Sequence, residues 1–366
     1  MTDTMECVIN GRFLGRTLTG VDRYAYGILH EIDRLLDLRD PLVDGLRFTV
    51  AVPSRVRARP FRNMSYETGP GTGYLWEQCV LPWMVGRRTL LNFCTVAPLV
   101  RTGYATIHDA HVWLVPEAFS RSFRLSQRIL LPLIGHRAKR VVTVSRHSLN
   151  KLVEFHVAPA GAITIIPSAP NTFSRLDPGA SRFAAAPPAE KYILMVGNDS
   201  PNKNMEMIVR LAPQLAERGI HICIVGPAGN PVFGRVGRDG GAQETVHRLG
   251  YVDDTDLAWL YGHALAFVFP SFEEGFGLPP LEAMSQGCPC VVSNTAAIPE
   301  VCSDAALYAS PREPDAWLER IVQVDSDADL RTDLVMKGFE RARYFTWEKN
   351  ARLWLEMIRA GAEAGA

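Results

Sequence analysis

The chain has 366 residues, 47% of them hydrophobic, and its 39 Lys and Arg balance 39 Asp and Glu. That length suits two domains rather than one core, and the neutral formal charge gives no sign of a nucleic-acid partner. No apolar run approaches the roughly 18 to 20 residues that span a bilayer, and the first residues lack the basic and apolar regions of a secretory leader. Seven cysteines without a Cys-x-x-Cys pair suit a reducing compartment, so the sequence reads as cytoplasmic.

The charge balance hides an asymmetry. Up to residue 185 there are 23 Lys and Arg against 14 Asp and Glu; the remaining residues carry 16 against 25. A basic first half facing an acidic second half fits either contact with something anionic, such as a membrane surface or a phosphorylated acceptor, or attraction between two domains.

In chain order, "ECVINGRF", "RFTVAVP", "TLLNFC", "YATIHD", "RVVTVS" and "AITIIP" are strand candidates separated by amphipathic stretches, the α/β pattern. Between the first two, Val21, Tyr24, Ala25, Ile28, Leu29, Ile32 and Leu36 recur at helical spacing. Residues 121–140 carry six Arg or Lys, no acid, and an apolar middle of Ile129, Leu130, Leu131, Leu133 and Ile134. This segment is either an interfacial helix on anionic lipid or an amphipathic helix buried in the first domain.

Residues 168–190 are rich in Pro, Ala and Ser and read as a connector. A second α/β pattern then begins, with "KYILMVG", "GIHICIVG", "LAFVFP", "CPCVVS" and "AALYAS" as continuous apolar runs typical of buried parallel strands. The predicted architecture is two Rossmann-like parallel-sheet domains, 1–180 and 181–345, facing each other across a cleft. A last helix, 346–366, presents Trp347, Ala351, Trp354 and Met357 or Ile358 on one face and crosses back to the first domain.

The stretch "FPSFEEGFGLPPLEAMSQG", residues 269–287, carries the chemistry. A strand ends near Pro270, Gly275 and Gly277 let main-chain amides approach a ligand, and a helix begins near Pro279, where a missing N–H costs nothing. Amides at a helix start favour phosphate, whereas Glu274 and Glu282 accept hydrogen bonds from hydroxyls. A sugar nucleotide satisfies both.

This segment resembles the EGFGLP-x-LEAM signature of retaining GT-B glycosyltransferases of family 4. "TGVDRYAYGIL", "TIHDAH", "VTVSRHSLNKL", "LMVGNDSPNKN", "LGYVDDTDLAWLY" and "AIPEV" are similar to further motifs of that family, in order and spacing, over nearly the whole chain. The resemblance implies a retaining, metal-independent hexosyltransferase without a cofactor, whose donor is a nucleoside diphosphate sugar, GDP-mannose favoured. The basic first half, and that alone, suggests a glycan or lipid-linked oligosaccharide as acceptor and, for a cytoplasmic enzyme, a place at the inner face of the membrane.

Catalytic roles are implied for Glu274, which holds the donor sugar's hydroxyls, Lys203, which neutralises the diphosphate, and His108, which contacts the sugar. Glu282 would hold the ribose, Val252 would meet the base through its main chain, and Gly20 would lie by the phosphates or acceptor. Gly197, Asn198 and Asn202 belong to the phosphate loop; Gly275, Phe276, Gly277 and Leu278 belong to the turn before the helix. Where the family often has Pro-Arg-Lys-Asn, this chain has Pro201-Asn202-Lys203-Asn204, and Arg235 or Arg238 in a Gly-rich loop is expected to replace the missing cation.

Other motifs carry less. His108, Asp109 and His111 form a weak metal pattern, Cys288-Pro-Cys290 lies in a strand-like run, and "DSDAD" at 325–329 reads as a solvated helix start. No G-x-G-x-x-G follows a strand candidate and no G-x-S-x-G is present. The alternatives are a catalytically silent nucleotide-sugar-binding subunit and a glycoside phosphorylase on the same architecture.

Overall fold

The computed structural model describes residues 4–16, 19–94, 96–170, 173, 176–198, 200–227 and 244–363. The chain divides into two compact units. The first comprises 1–114, 119–169 and 345–366; the second comprises 115–118 and 170–344.

The first unit is built on seven strands: β1 (Met5–Asn10), β2 (Leu46–Pro53), β3 (Ser65–Gly69), β4 (Thr89–Asn92), β5 (Tyr104–Thr106), β6 (Arg140–Thr143) and β7 (Ile163–Ile165). All pair in parallel, in the order β3-β2-β1-β4-β5-β6-β7. The chain builds outward from β1 to β3, then returns to place β4 on the other side of β1. That reversal leaves a crevice at the carboxyl ends of β1 and β4.

Helix Gly20–Asp37 begins with a capping box. Asp22, fully buried, accepts from the Thr19 N–H at 2.9 Å and from the Thr19 hydroxyl at 2.6 Å. Its apolar stripe is buried as the spacing predicts, except that Val21 is only half-buried and Leu35 rather than Leu36 closes the core face. The last helix, Trp347–Glu363, packs on this one within the first unit. Gly27 permits the approach, because any Cβ there would enter the Trp347 ring. Trp354 donates its indole N–H to the Tyr24 hydroxyl at 2.9 Å, and Asn350 donates to the Pro167 carbonyl at 2.8 Å.

Helix Arg121–Arg137 divides its apolar residues between two faces. Leu131 and Ile134 are buried, while Leu125 and Ile129 are 63% and 57% exposed, so the helix neither sinks fully into the core nor becomes polar outside.

The second unit holds β8 (Tyr192–Val196), β9 (His221–Val225), β10 (Val246–Gly250), β11 (Ala266–Phe269), β12 (Cys290–Ser293) and β13 (Leu307–Ala309). All are parallel, in the order β10-β9-β8-β11-β12-β13. Here the reversal falls between β8 and β11. The later part of the expected connector belongs to this unit: Ser181 donates to Asp256 at 2.8 Å, and Arg182 pairs with the same carboxylate at 3.0 Å.

Each unit is thus a Rossmann-like layer of parallel strands with flanking helices. No helix among the described residues is long and apolar enough to cross a membrane.

Candidate functional site

At the β8/β11 reversal, two loops emerge side by side and bring together residues 71 positions apart. Lys203 ends a 3-10 turn after β8, and Glu274 lies in the loop after β11; the ammonium donates to the carboxylate at 2.6 Å. Glu274 is buried and Lys203 half-buried. The Lys203 ammonium also lies 5.1 Å from the centroid of the Phe269 ring, so an aromatic face and a carboxylate fix one cation.

The loops are tied to each other and to the segment after β12. Phe272 donates its N–H to the Asn202 carbonyl at 2.8 Å, and the Asn202 amide donates to the Glu273 carbonyl at 3.3 Å. Thr295 donates to the carbonyls of Ser271 and Phe272, and the Ala297 N–H reaches the Glu274 carbonyl. Asn202, 7% exposed, also takes a hydrogen bond from the Ser200 hydroxyl. It therefore braces two loops and does not replace the cation that the family often carries there. Arg235 and Arg238, expected to supply that cation, lie outside the described residues.

Backbone shape dictates the glycines. Gly277 caps helix Leu278–Ser285 at φ +115°, a region that disfavours side chains. Strands β8 and β9 run directly into Gly197 at φ +154° and Gly226 at φ +143°, and β10 ends on Gly250 at φ +70°. A Cβ on Gly226 would strike the Gly197 carbonyl. The sheet edge at the site is consequently bare main chain on three neighbouring strands, which allows close approach of a ligand.

Pro279 and Pro280 lie in the first turn of the helix and have no N–H. The backbone donors at this helix start are confined to Leu278, the residues before it, and Leu281. Glu282 follows one turn later and is buried at 6% exposure. Val252 is buried between β10 and helix Asp254–His263, and Asn198 is exposed, its side chain accepting from the Ser200 N–H.

Two of the expected residues belong to the first unit. Gly20 is the exposed first residue of its helix. His108 follows β5 and is buried, with Nε2 3.0 Å from the Phe93 carbonyl and its ring edge-on to Tyr24. Burial pushes this imidazole below its ordinary value, the Phe93 contact opposing the shift, so it is neutral at pH 7 and donates through Nε2. Among the described residues no three His, Cys, Asp or Glu converge as a metal site.

Residues 180–341 match the family described as Glycosyl transferases group 1. The chain is 32% identical over 255 residues to O-antigen chain mannosyltransferase B of Escherichia coli, covering 66% of each protein. It is 26% identical over 345 residues to O-antigen chain mannosyltransferase RfbU of Salmonella typhimurium, covering 88% of this chain and 92% of that one. Among solved structures, sucrose-phosphate synthase from Thermosynechococcus elongatus superposes with TM-score 0.72 at 19% identity, over 99% of this chain and 100% of the other. Anabaena Alr3699/HepE, solved in complex with UDP, gives 0.69 at 16% over 98% and 100%. Such likenesses establish the fold. The β8/β11 crevice, with its Lys203–Glu274 pair and glycine-edged strands, lies within the matched segment, and residues 180–341 are a domain of the glycosyl transferases group 1 family.

Proposed function

We propose that this chain is a retaining mannosyltransferase of O-antigen-type polysaccharide assembly. It takes mannose from GDP-mannose and passes it to a hydroxyl of a glycan or lipid-linked oligosaccharide, without a metal ion. The observation that carries this reading is the Lys203–Glu274 pair, preformed at the reversal point of the group 1 domain. The mannosyltransferase names of two relatives support the choice of sugar.

The pair suggests how the donor is received. An ammonium 2.6 Å from a carboxylate is held in place but already neutralised. A diphosphate offers Lys203 a doubly charged partner, and the donor's hydroxyls offer Glu274 hydrogen bonds in return. Each member of the pair then exchanges its mate for a ligand group, so neither charge is left uncompensated. The leaving diphosphate gathers charge as the glycosidic bond breaks, and a fixed ammonium with main-chain amides near Leu278 lowers that barrier. Glu282 holds the ribose, and His108, neutral, offers a hydrogen-bonding ring rather than a charge.

The exposed apolar residues of helix Arg121–Arg137 lie in a stretch without acids. We read this face as the contact with an anionic membrane leaflet.

The test is a donor panel. The chain is incubated with the GDP, UDP, ADP and dTDP sugars, a mannose-terminated acceptor, and either Mg²⁺ or EDTA, and the product anomer is determined by NMR. GDP-mannose should give the α-linked product with either additive. A different preferred donor, an inverted anomer, or loss of activity with EDTA would each refute the corresponding part of the proposal.

A further inference from the structure

The outermost strand of the second unit is fastened by two imidazoles that the donor crevice does not use. β10 lies at the edge of its sheet, with β9 as its neighbour. His221 opens β9, His247 is the second residue of β10, and His221 Nδ1 lies 2.8 Å from His247 Nε2. We propose that His221 and His247 form a latch closed by one shared proton, and that double protonation of the pair opens it and loosens β10 from the sheet.

The relation of the rings decides what the pair can hold. Their planes are 13° apart and their centroids 5.1 Å apart. The excess of that distance over the N···N separation is what the two ring radii supply, so the line joining the nitrogens runs through both centroids. The rings are close to coplanar and meet head-on, the direction in which one imidazole N–H points at the lone pair of another. In the neutral pair one facing nitrogen carries the proton and the other accepts it. A first added proton enters at the outer nitrogen of the donor ring and turns the bond into a charge-assisted one. A second can go only to the facing lone pair. Two N–H groups and two positive charges then confront each other, and the bond is lost.

The titratable groups on the neighbouring elements have other partners or lie in solvent. Cys223 shares the face of both rings, two residues after His221 and in register with His247; burial pushes its thiol up to about 12, so it stays neutral. Tyr192, in register with His221 on β8, donates to the Leu260 carbonyl at 2.9 Å, and burial raises it well above its ordinary value. Lys191 pairs with Asp325 at 3.0 Å. On helix Asp254–His263, Asp256 pairs with Arg182 and His263 Nδ1 lies 2.8 Å from the Trp259 carbonyl, while Asp253 and Asp254 are exposed. Glu244 is exposed before β10, and Arg248 alternates to the opposite face. Burial, and then the facing His221, lower His247 from its ordinary value, the direction expected of a pair that resists its second charge.

The latch lies on the strand that ends at the donor crevice. Ile222 donates its N–H to the Thr245 carbonyl at 2.8 Å, and Gly226 donates to the Gly250 carbonyl at 2.9 Å. Between Arg248 and Gly250 the register slips, so the regular pairing of β10 is at the end that carries His247. Gly250 is one of the three bare strand ends of the crevice, and Val252 follows it. Opening the latch therefore frees the part of the crevice given above to the base. This last step rests on the donor assignment; the latch itself does not.

The test titrates the full chain, labelled with ¹⁵N-histidine, from pH 7.5 to pH 4.5. NMR should show a ¹⁵N–¹⁵N coupling across the hydrogen bond between the two rings at pH 7.5 and its loss at pH 4.5, a measurement that needs no variant. Amide exchange over residues 245–250, corrected for its intrinsic pH dependence, should quicken about tenfold at the lower pH, the scale of one hydrogen bond to a charged group. In His247→Gln, whose side chain does not titrate, that change should disappear. GDP affinity should fall about tenfold further in the wild type than in the variant over the same range, the comparison cancelling the titration of GDP itself. No coupling at pH 7.5, coupling that persists at pH 4.5, or an exchange response that His247→Gln leaves unaltered would each overturn the latch. GDP that binds at neither pH, with exchange behaving as expected, would count against the donor assignment and leave the latch standing.

Discussion

Replacing Lys203 by Met removes the ammonium but keeps the length and apolar stem of the side chain. Glu274 then remains at 8% exposure without its partner. Breaking a fully buried pair costs about 3–5 kcal/mol, and exposed pairs are worth about 0–1 kcal/mol. With the Lys203 side chain 20% exposed and that of Glu274 11%, a loss on the order of 2 kcal/mol is expected. For a unit of this size that lowers Tm by about 4–8 °C.

Loss of the charged contact to the diphosphate, worth about 1.5–3 kcal/mol, should reduce kcat/KM for the donor by about 10- to 150-fold. The second variant, Lys203→Met with Glu274→Gln, separates the two effects. Gln neutralises the stranded carboxylate, so calorimetry should show most of the stability restored, while steady-state assays with saturating acceptor should show turnover no better than in the single variant. If the single variant retains donor affinity and turnover within about twofold, or if the double variant recovers both, Lys203 merely neutralises Glu274 and the donor-site argument fails.

Four further outcomes are expected. Gly226→Ala should be far more damaging than Gly277→Ala: the first meets the Gly197 carbonyl, the second only the terminal methyl of Ile298 at 2.8 Å, leaving mainly backbone strain of about 1–3 kcal/mol; melting curves would rank them. Cys79 is exposed, whereas burial pushes the Cys7, Cys223 and Cys302 thiols up to about 12, so a thiol reagent at pH 7.5 should label Cys79 first and Cys79→Ser should abolish the fast phase. Because burial lowers the folded-state value of His108, the unfolded chain takes up the proton first as pH falls; its stabilising contribution is complete above about pH 6.5 and declines below it. His108→Gln should therefore flatten the fall in Tm between pH 7.5 and 5.5, leaving the share due to His30 and His247, which burial lowers likewise. Finally, the chain should sediment with anionic vesicles at low salt, and the Leu125→Ser, Ile129→Ser double variant should remain in the supernatant.

Legibility in the sequence followed burial. Eleven of the thirteen strands were visible as apolar runs because strands covered on both faces need Val, Ile and Leu throughout. The two missed, β3 with "SYETG" and β10 with "VHRLG", are edge strands, half solvated and only weakly apolar. At the candidate donor site, Glu274 and the Gly-Phe-Gly turn could be read from local spacing, whereas Lys203 was implied only by the family resemblance. Their mutual ion pair could not be read, since it depends on two loops 71 residues apart emerging beside each other. The glycines at 197 and 226 did leave a signal, one at the end of each of two runs, while Gly250 ends the unread β10; the three become meaningful only when those strands are neighbours. His221 and His247 left none: single histidines 26 residues apart read as surface until the fold lays their strands side by side.

The first unit is interrupted in sequence: it breaks off at Ala169 and resumes at Phe345. On the ribosome this imposes a schedule. The acidic second unit ends at Tyr344, before the helix Trp347–Glu363 that covers Tyr24, so its synthesis is complete while its elder neighbour still waits for Trp354. A chain truncated after Tyr344 would accordingly display one finished sheet and one with its apolar flank open, the species on which chaperones would act.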